Sequence, residues 1–250
     1  MTRGPGHTGT IVFDLDGVIY VDKDGIPGAG AALRRLSDAG WQLRDATNNS
    51  TKTATTVAAH IESRTGFAAS PADAITSAMS AAAYAKGSHR SVFVVGSDQL
   101  RTTLEHAGIT VDGVDPTGVV VGLDRSLTYE AIDRAARLIR AGAEFIATNT
   151  DSTFPTPTGL APGSGTIVAA VREASGVEPV DCGKPSSHFS DLLDATIDTS
   201  DVWMVGDRPE TDIALAKASG WKSVLTLSGV STDLFQMAAE AAWSHHEWWD

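Results

Sequence analysis

Two carboxylates one residue apart, Asp14 and Asp16, close the apolar run Ile11-Val12-Phe13 and precede Gly17. Residues two apart on a strand share a face, so the pair would start out side by side. Open α/β sheets bind ligands beyond the carboxyl ends of their strands. Paired carboxylates there can hold a divalent cation through hard oxygens, or divide nucleophilic and acid–base work between them. A solvated Asp-Gly turn is the bland alternative. Against it stands the cost of concentrating negative charge at a strand end without a cation.

Three further polar clusters follow strands or strand-like segments. Thr47-Asn48-Asn49-Ser50 sets hydroxyl and amide donors beside a helix start, which suits a phosphate oxygen or an ordinary cap. Lys184, between Gly183 and Pro185, can act as a point charge for phosphate. Gly206-Asp207-Arg208-Pro209-Glu210-Thr211-Asp212 again puts an acid directly after an apolar run, with another acid five positions on. These acids suit a metal; Asp207 as a turn residue and Thr211 or Asp212 as caps are the competing reading.

The elements that must position these clusters alternate strand and helix almost throughout, the pattern of a parallel α/β architecture. Strands are expected near 10–16, 41–47, 92–95, 119–121, 145–147, 202–205 and 223–227. Helices are expected near 29–39, 52–64, 97–107, 128–141, 166–174, 209–219 and 232–242. The second strand is less apolar than a central strand should be, and Arg44 and Asp45 have no evident partner there. Residues 152–165, rich in Pro, Gly and Thr, read as a long functional loop or linker.

At 250 residues the chain can bury a substantial core. A net charge of −12 argues against a general nucleic-acid binder. It does not exclude a small anionic substrate, because a metal and one lysine reverse the field locally. The single cysteine, Cys182, precludes an intramolecular disulfide and reads as a small buried spacer. No apolar run approaches membrane-spanning length, so a cytoplasmic protein is expected. Gly4-Pro5-Gly6-His7-Thr8-Gly9 has dinucleotide-motif spacing but precedes the first strand instead of following it, so it reads as a leader. His245-His246 read as part of an exposed tail.

Taken in order, the four clusters resemble the motifs of the haloacid dehalogenase superfamily of phosphohydrolases. More narrowly, Thr47-Asn48-Asn49 and Gly206-Asp207-Arg208-x-x-Thr211-Asp212-Ile213 are similar to the NagD-like and 4-nitrophenylphosphatase-like branch. So are Thr76-Ser77-Ala78-Met79, Gly122-Leu123-Asp124-Arg125 and Ala147-Thr148-Asn149-Thr150-Asp151. The resemblance implies a Rossmann-like, doubly wound parallel-sheet core with a large inserted α/β cap. The expected division is core in 1–79 and 181–250, with the cap in 80–180.

It also implies a Mg2+-dependent phosphatase of small phosphorylated metabolites: sugar phosphate, glycerol phosphate, phosphoglycolate or nucleotide. Asp14 would be the nucleophile and Asp16 the proton carrier. The metal ligands would be the Asp14 carboxylate, the Asp16 backbone carbonyl and the Asp207 carboxylate. Thr47 and Asn48 would hold phosphoryl oxygens, Lys184 would balance charge, and Asp212 would orient Lys184 or water at the metal. Arg125, Asp151 and the 152–165 loop would contact the rest of the substrate. Neither nucleic acid nor membrane is an expected partner, and a homodimer through the cap fits the resemblance. Two rivals stay open: a catalytically silent metabolite-binding or regulatory protein on the same fold, and a phosphomutase, although the small helical cap usual near the first motif of a mutase is absent.

Overall fold

The apolar runs become two parallel sheets. In chain order the elements begin with β1 (Thr10–Phe13), the short β2 (Tyr20–Val21) and β3 (Asp24–Gly25), α1 (Ala29–Asp38), β4 (Gln42–Thr47), α2 (Ala54–Thr65), β5 (Ala74–Thr76) and α3 (Ser77–Ser88). Next come β6 (Ser91–Val95), α4 (Asp98–His106), β7 (Thr110–Val111), β8 (Gly118–Val121), α5 (Tyr129–Arg140), β9 (Glu144–Ala147), β10 (Thr153–Thr156) and β11 (Gly159–Pro162). The chain then forms α6 (Ser164–Ser175), β12 (Val180–Asp181), α7 (Ser187–Asp194), β13 (Val202–Gly206), α8 (Ala214–Ala218) and β14 (Lys222–Leu225). This computed structural model describes residues 9–156 and 158–229. The leader, the helix expected at 232–242 and the His245-His246 tail lie outside the described residues.

The core sheet has the order β14-β13-β1-β4-β5 and the cap sheet the order β12-β9-β8-β6-β7, every pairing parallel. Strands buried on both faces read as continuous apolar runs, as in Thr10-Ile11-Val12-Phe13 and Gly118-Val119-Val120-Val121. Alternate residues feed opposite faces. Ile11 and Phe13 pack with Leu33, Val57 and Ile61, while Val12 packs with Phe189, Leu193 and Leu215. In the cap, Val92 and Val94 join α3 and α4, and Phe93 and Val95 join α5 and α6. Among the described residues no helix is long and apolar enough to cross a membrane.

Side-chain caps bear out the helix starts read at Ser97 and Thr128, which accept from Leu100 N and Ala131 N. Three differences matter for the site. The first strand stops at Phe13, short of both acids. The 152–165 segment is not structureless: β10 and β11 pair antiparallel, with Thr156 Oγ1 donating to Gly159 O at 2.6 Å across the turn. The short β5, only Ala74-Ile75-Thr76, escapes periodicity but forms the edge of the core sheet and feeds α3 directly. The polar second strand is real, and it resolves Arg44. That guanidinium meets Asp73 Oδ1 at 2.7 Å, Thr196 O at 2.8 Å and Thr196 Oγ1 at 3.2 Å.

Candidate active site

The carboxyl ends of β1, β4 and β13 converge. Asp14 continues the ladder past β1, its N–H donating to Val205 O at 2.9 Å. The chain then winds tightly, with Val18, Ile19 and Tyr20 N–H groups all directed at Leu15 O. Gly17, at φ 94°, supplies the left-handed conformation the turn requires. After this turn both acids line one cleft but face different charged groups. Asp14 turns into the interior, while the Asp16 carboxyl faces Lys52 at the cleft wall.

Around Asp14 the other acids gather. One ligand oxygen from each of Asp14, Asp207 and Asp212 lies within 4.8 Å of the others, and all three residues are buried. Lys184 Nζ donates to Asp14 Oδ1 at 2.6 Å, Asp212 Oδ1 at 2.7 Å and Ala46 O at 2.8 Å. Asp212 Oδ2 accepts the N–H groups of Asp207 and Arg208, each at 3.1 Å. Asp212 thus shapes the turn that carries Asp207 and also fixes the lysine. A Cβ on Gly17 would meet Asp207 Oδ2 at 2.5 Å and one on Gly229 would meet it at 1.9 Å, so two glycines let backbone press against that carboxylate.

Three buried carboxylates against one ammonium leave two negative charges, which a divalent cation would neutralise. Hard oxygen donors suit Mg2+, and the residues present fit it. Burial pushes the Asp14 carboxyl well above its ordinary range; Lys184 opposes this, and Asp212 and Asp207 add like charge. Burial works against the Lys184 ammonium, but Asp14 and Asp212 outweigh it and hold the proton more tightly than usual. Burial also raises Asp16, with Lys52 pulling the other way. A carboxyl that holds its proton more tightly than usual beside a cleft is suited to giving it up and taking it back.

The second cluster divides its work. Thr47 Oγ1 accepts from Asn49 N at 3.1 Å, which leaves its hydroxyl proton to donate. The Asn48 side chain is already committed. Its Oδ1 accepts from Lys184 N at 2.7 Å, and its Nδ2 donates to Lys184 O at 3.3 Å and to Asp151 Oδ2 at 3.1 Å. Any contact of Asn48 with a phosphoryl oxygen therefore falls to its backbone N–H. Asn149 was not singled out for a role by its residue type, yet it is 3% exposed and joins the two halves of the molecule. Its Nδ2 donates to Asn48 O at 2.7 Å, and its Oδ1 accepts from Asp151 N at 3.2 Å.

The cluster opens into a cleft of about 280 Å3, floored by Asp14 and Lys184 and roofed by the β10–β11 hairpin. Arg208 Nη2 ties the roof to the core through Thr153 O at 3.1 Å. Asp151 faces the cleft, and burial raises its carboxyl. Arg125 lines the mouth, its guanidinium 5.6 Å from the Phe154 ring. Lys52 and Arg64, also lining the cleft, stack on Tyr20 at 5.1 and 5.3 Å. Only folding brings that ring to them, so sequence spacing carries no sign of it. Cys182 is buried, with its thiol pushed up to about 12 by burial, as an inert spacer should be.

Comparison with known proteins gives a consistent picture. Residues 11–110 match the family described as haloacid dehalogenase-like hydrolase, and residues 181–246 match a related HAD-hydrolase-like family. The 5'-nucleotidase YutF of Bacillus subtilis is 35% identical over 95% of this chain and 96% of its own length. The glycerol phosphate phosphatase of Mycobacterium tuberculosis, solved in complex with magnesium, is 34% identical with a TM-score of 0.80, over 89% of this chain and 69% of that one. NagD from Escherichia coli is 31% identical with a TM-score of 0.83, over 92% of this chain and 91% of that one.

Proposed function

The chain belongs to the haloacid dehalogenase-like hydrolases, in the NagD and p-nitrophenylphosphatase-like branch with a cap, and from that premise we propose that it is a Mg2+-dependent phosphatase of small phosphorylated metabolites. The observation that carries this reading is the convergence of Asp14, Asp207 and Asp212 on one point, closed by the Lys184 ammonium at the floor of the cleft. Sugar, glycerol and nucleotide phosphates are the substrate classes we place first, since relatives are named for nucleotide and glycerol phosphate.

In the proposed reaction Asp14 attacks phosphorus and forms an aspartyl-phosphate. Asp16 gives its proton to the leaving oxygen as the ester bond breaks. It then takes a proton from the water that hydrolyses the acyl phosphate, which frees Asp14 and releases phosphate. Asp14 and Asp207 carboxylates and the Asp16 backbone carbonyl would hold Mg2+, with Asp212 within reach. When bound, the ion would offset the repulsion between an anionic nucleophile and an anionic phosphoryl group. The Thr47 hydroxyl and the Asn48 N–H would cradle phosphoryl oxygens, and Lys184 would hold Asp14 oriented. Asp151 and Arg125 would meet the remainder of the substrate. A homodimer through the cap is our reading of the assembly, supported by the exposure of Val114 and Tyr129.

Turnover of 4-nitrophenyl phosphate with Mg2+, abolished by chelator and by Asp14→Asn with the fold retained, is expected. Substantial activity in Asp14→Asn sinks the nucleophile assignment. Absence of any turnover across a panel of phosphorylated metabolites favours the silent binding protein instead.

A further inference from the structure

The second strand carries two charged residues, and they fare differently. Arg44 is saturated by Asp73, Thr196 and Leu43 O. Its neighbour Asp45 points to the opposite face, as the two-residue period of a strand requires. Asp45 is 7% exposed. Burial, with Asp73 adding to it and Arg44 opposing, pushes its carboxyl up to about 7, and no described residue donates it a hydrogen bond. Its oxygens reach an adjoining space, where solvent or an occupant must meet them.

Asp45 opens into a cavity of about 380 Å3 walled by Leu33, Trp41, Leu43, Ile61 and Phe67. This space lies on the α1–α2 side of the core sheet and shares no lining residue with the catalytic cleft. The nearby Asp73 is already matched by Arg44. Ser37, Gln42, Arg44, Ser70 and Asp73 also line this recess, and Asp45 is the acid in it without an ion-pair partner. Size, an aromatic and aliphatic wall and a few convergent polar groups are what a small-molecule site offers. A carboxylate there is complementary to a cation, and the rings of Trp41 and Phe67 favour the same charge. An anionic occupant would be repelled by Asp45, and a neutral one could at most donate a hydrogen bond and would leave its charge without a counterpart.

We propose that this cavity is a second ligand site, separate from the catalytic cleft, which takes a small ammonium on an apolar body, with the cationic head on Asp45 and the body against Trp41 and Phe67. The proposal does not depend on the phosphatase reading.

The test is calorimetric titration of the full chain with benzylamine, with benzyl alcohol as the uncharged control. The proposal expects one saturable site for benzylamine whose affinity is unchanged by inorganic phosphate with Mg2+. Asp45→Asn, which keeps the shape and removes the charge, should weaken binding by about tenfold or more, the worth of a charge-assisted hydrogen bond. Ala68→Trp, at an exposed position on the cavity rim, should weaken it by obstruction, and it keeps the test open if Asp45→Asn does not fold. No saturable binding, equal affinity for benzyl alcohol, unchanged affinity in the variants, or displacement by phosphate would each overturn the proposal.

Discussion

Lys184→Met removes the one cation at the centre of the site. The Nζ makes three contacts of 2.6–2.8 Å, and its two carboxylate partners, Asp14 and Asp212, are 9% and 1% exposed. Methionine fills a similar volume but leaves two buried carboxylates facing each other. Removing one partner from a buried, hydrogen-bonded ion pair costs about 3–5 kcal/mol. Unfolding entropy scales to roughly 0.5 kcal/mol per degree for a chain of this size, so the loss converts to a melting point lower by about 6–10 °C. Calorimetry in chelator reads this directly, because a bound dication would mask part of the deficit. Lys184→Arg should fall in the same direction. A planar guanidinium cannot point one compact head at three acceptors that converge from different elements. Turnover should fall by about two to three orders of magnitude in both variants, the scale of losing one preorganised charge in a closed site. A melting point within roughly 2 °C of wild type in chelator, well short of the drop that conversion gives, would refute the reasoning.

Three further outcomes follow from the same geometry. Gly17→Ala should keep the fold and lose turnover, because the new Cβ would sit 2.5 Å from Asp207 Oδ2 at a positive φ; wild-type kcat in the variant would mean that the carboxylate moves aside freely. Asn48→Asp should destabilise more than Asn48→Ala, since it replaces a donor to Asp151 Oδ2 at 3.1 Å by a like charge; equal melting points for the two would contradict this. Asp45 has a folded pKa of about 7 against an ordinary value of 3.8, so the native state holds the proton more tightly than the unfolded chain. Its contribution is therefore most favourable below about pH 4 and is lost as pH rises to about 7, by on the order of 3–4 kcal/mol. Asp45→Asn should flatten that slope in denaturant unfolding measured from pH 4 to 8, and an unchanged slope would show that another group carries it.

Much of this site was legible in the sequence because its chemistry is tied to strand ends. Asp14, Thr47 and Asp207 each follow a short apolar run, and such runs can be read without knowing their neighbours. Strand–helix alternation also anticipated a parallel α/β architecture, and the family resemblance implied a cap beside the core. What could not be read were relations across the chain. Asp14 and Asp16 stand two apart, the strand period, yet the backbone winds between them and sends them to different surroundings. Asn48 carries the residue type of a phosphate ligand, yet its amide is spent on Lys184 and Asp151, 136 and 103 positions away.

By itself, then, the sequence determined which groups are available and which strand ends present them, because periodicity and capping act over a few residues. The tertiary structure decided which groups share a charge environment. Three acids and one lysine became a site with a surplus of two negative charges only when β1, β4 and β13 aligned in register. It also decided between Arg44 and Asp45. Adjacent in sequence, they point to opposite faces of one strand, so that one found acceptors in Asp73 and Thr196 while the carboxyl of the other faces a cavity and accepts no hydrogen bond from a described residue. Electrostatics depends on distance and burial, and neither is a property of position along the chain.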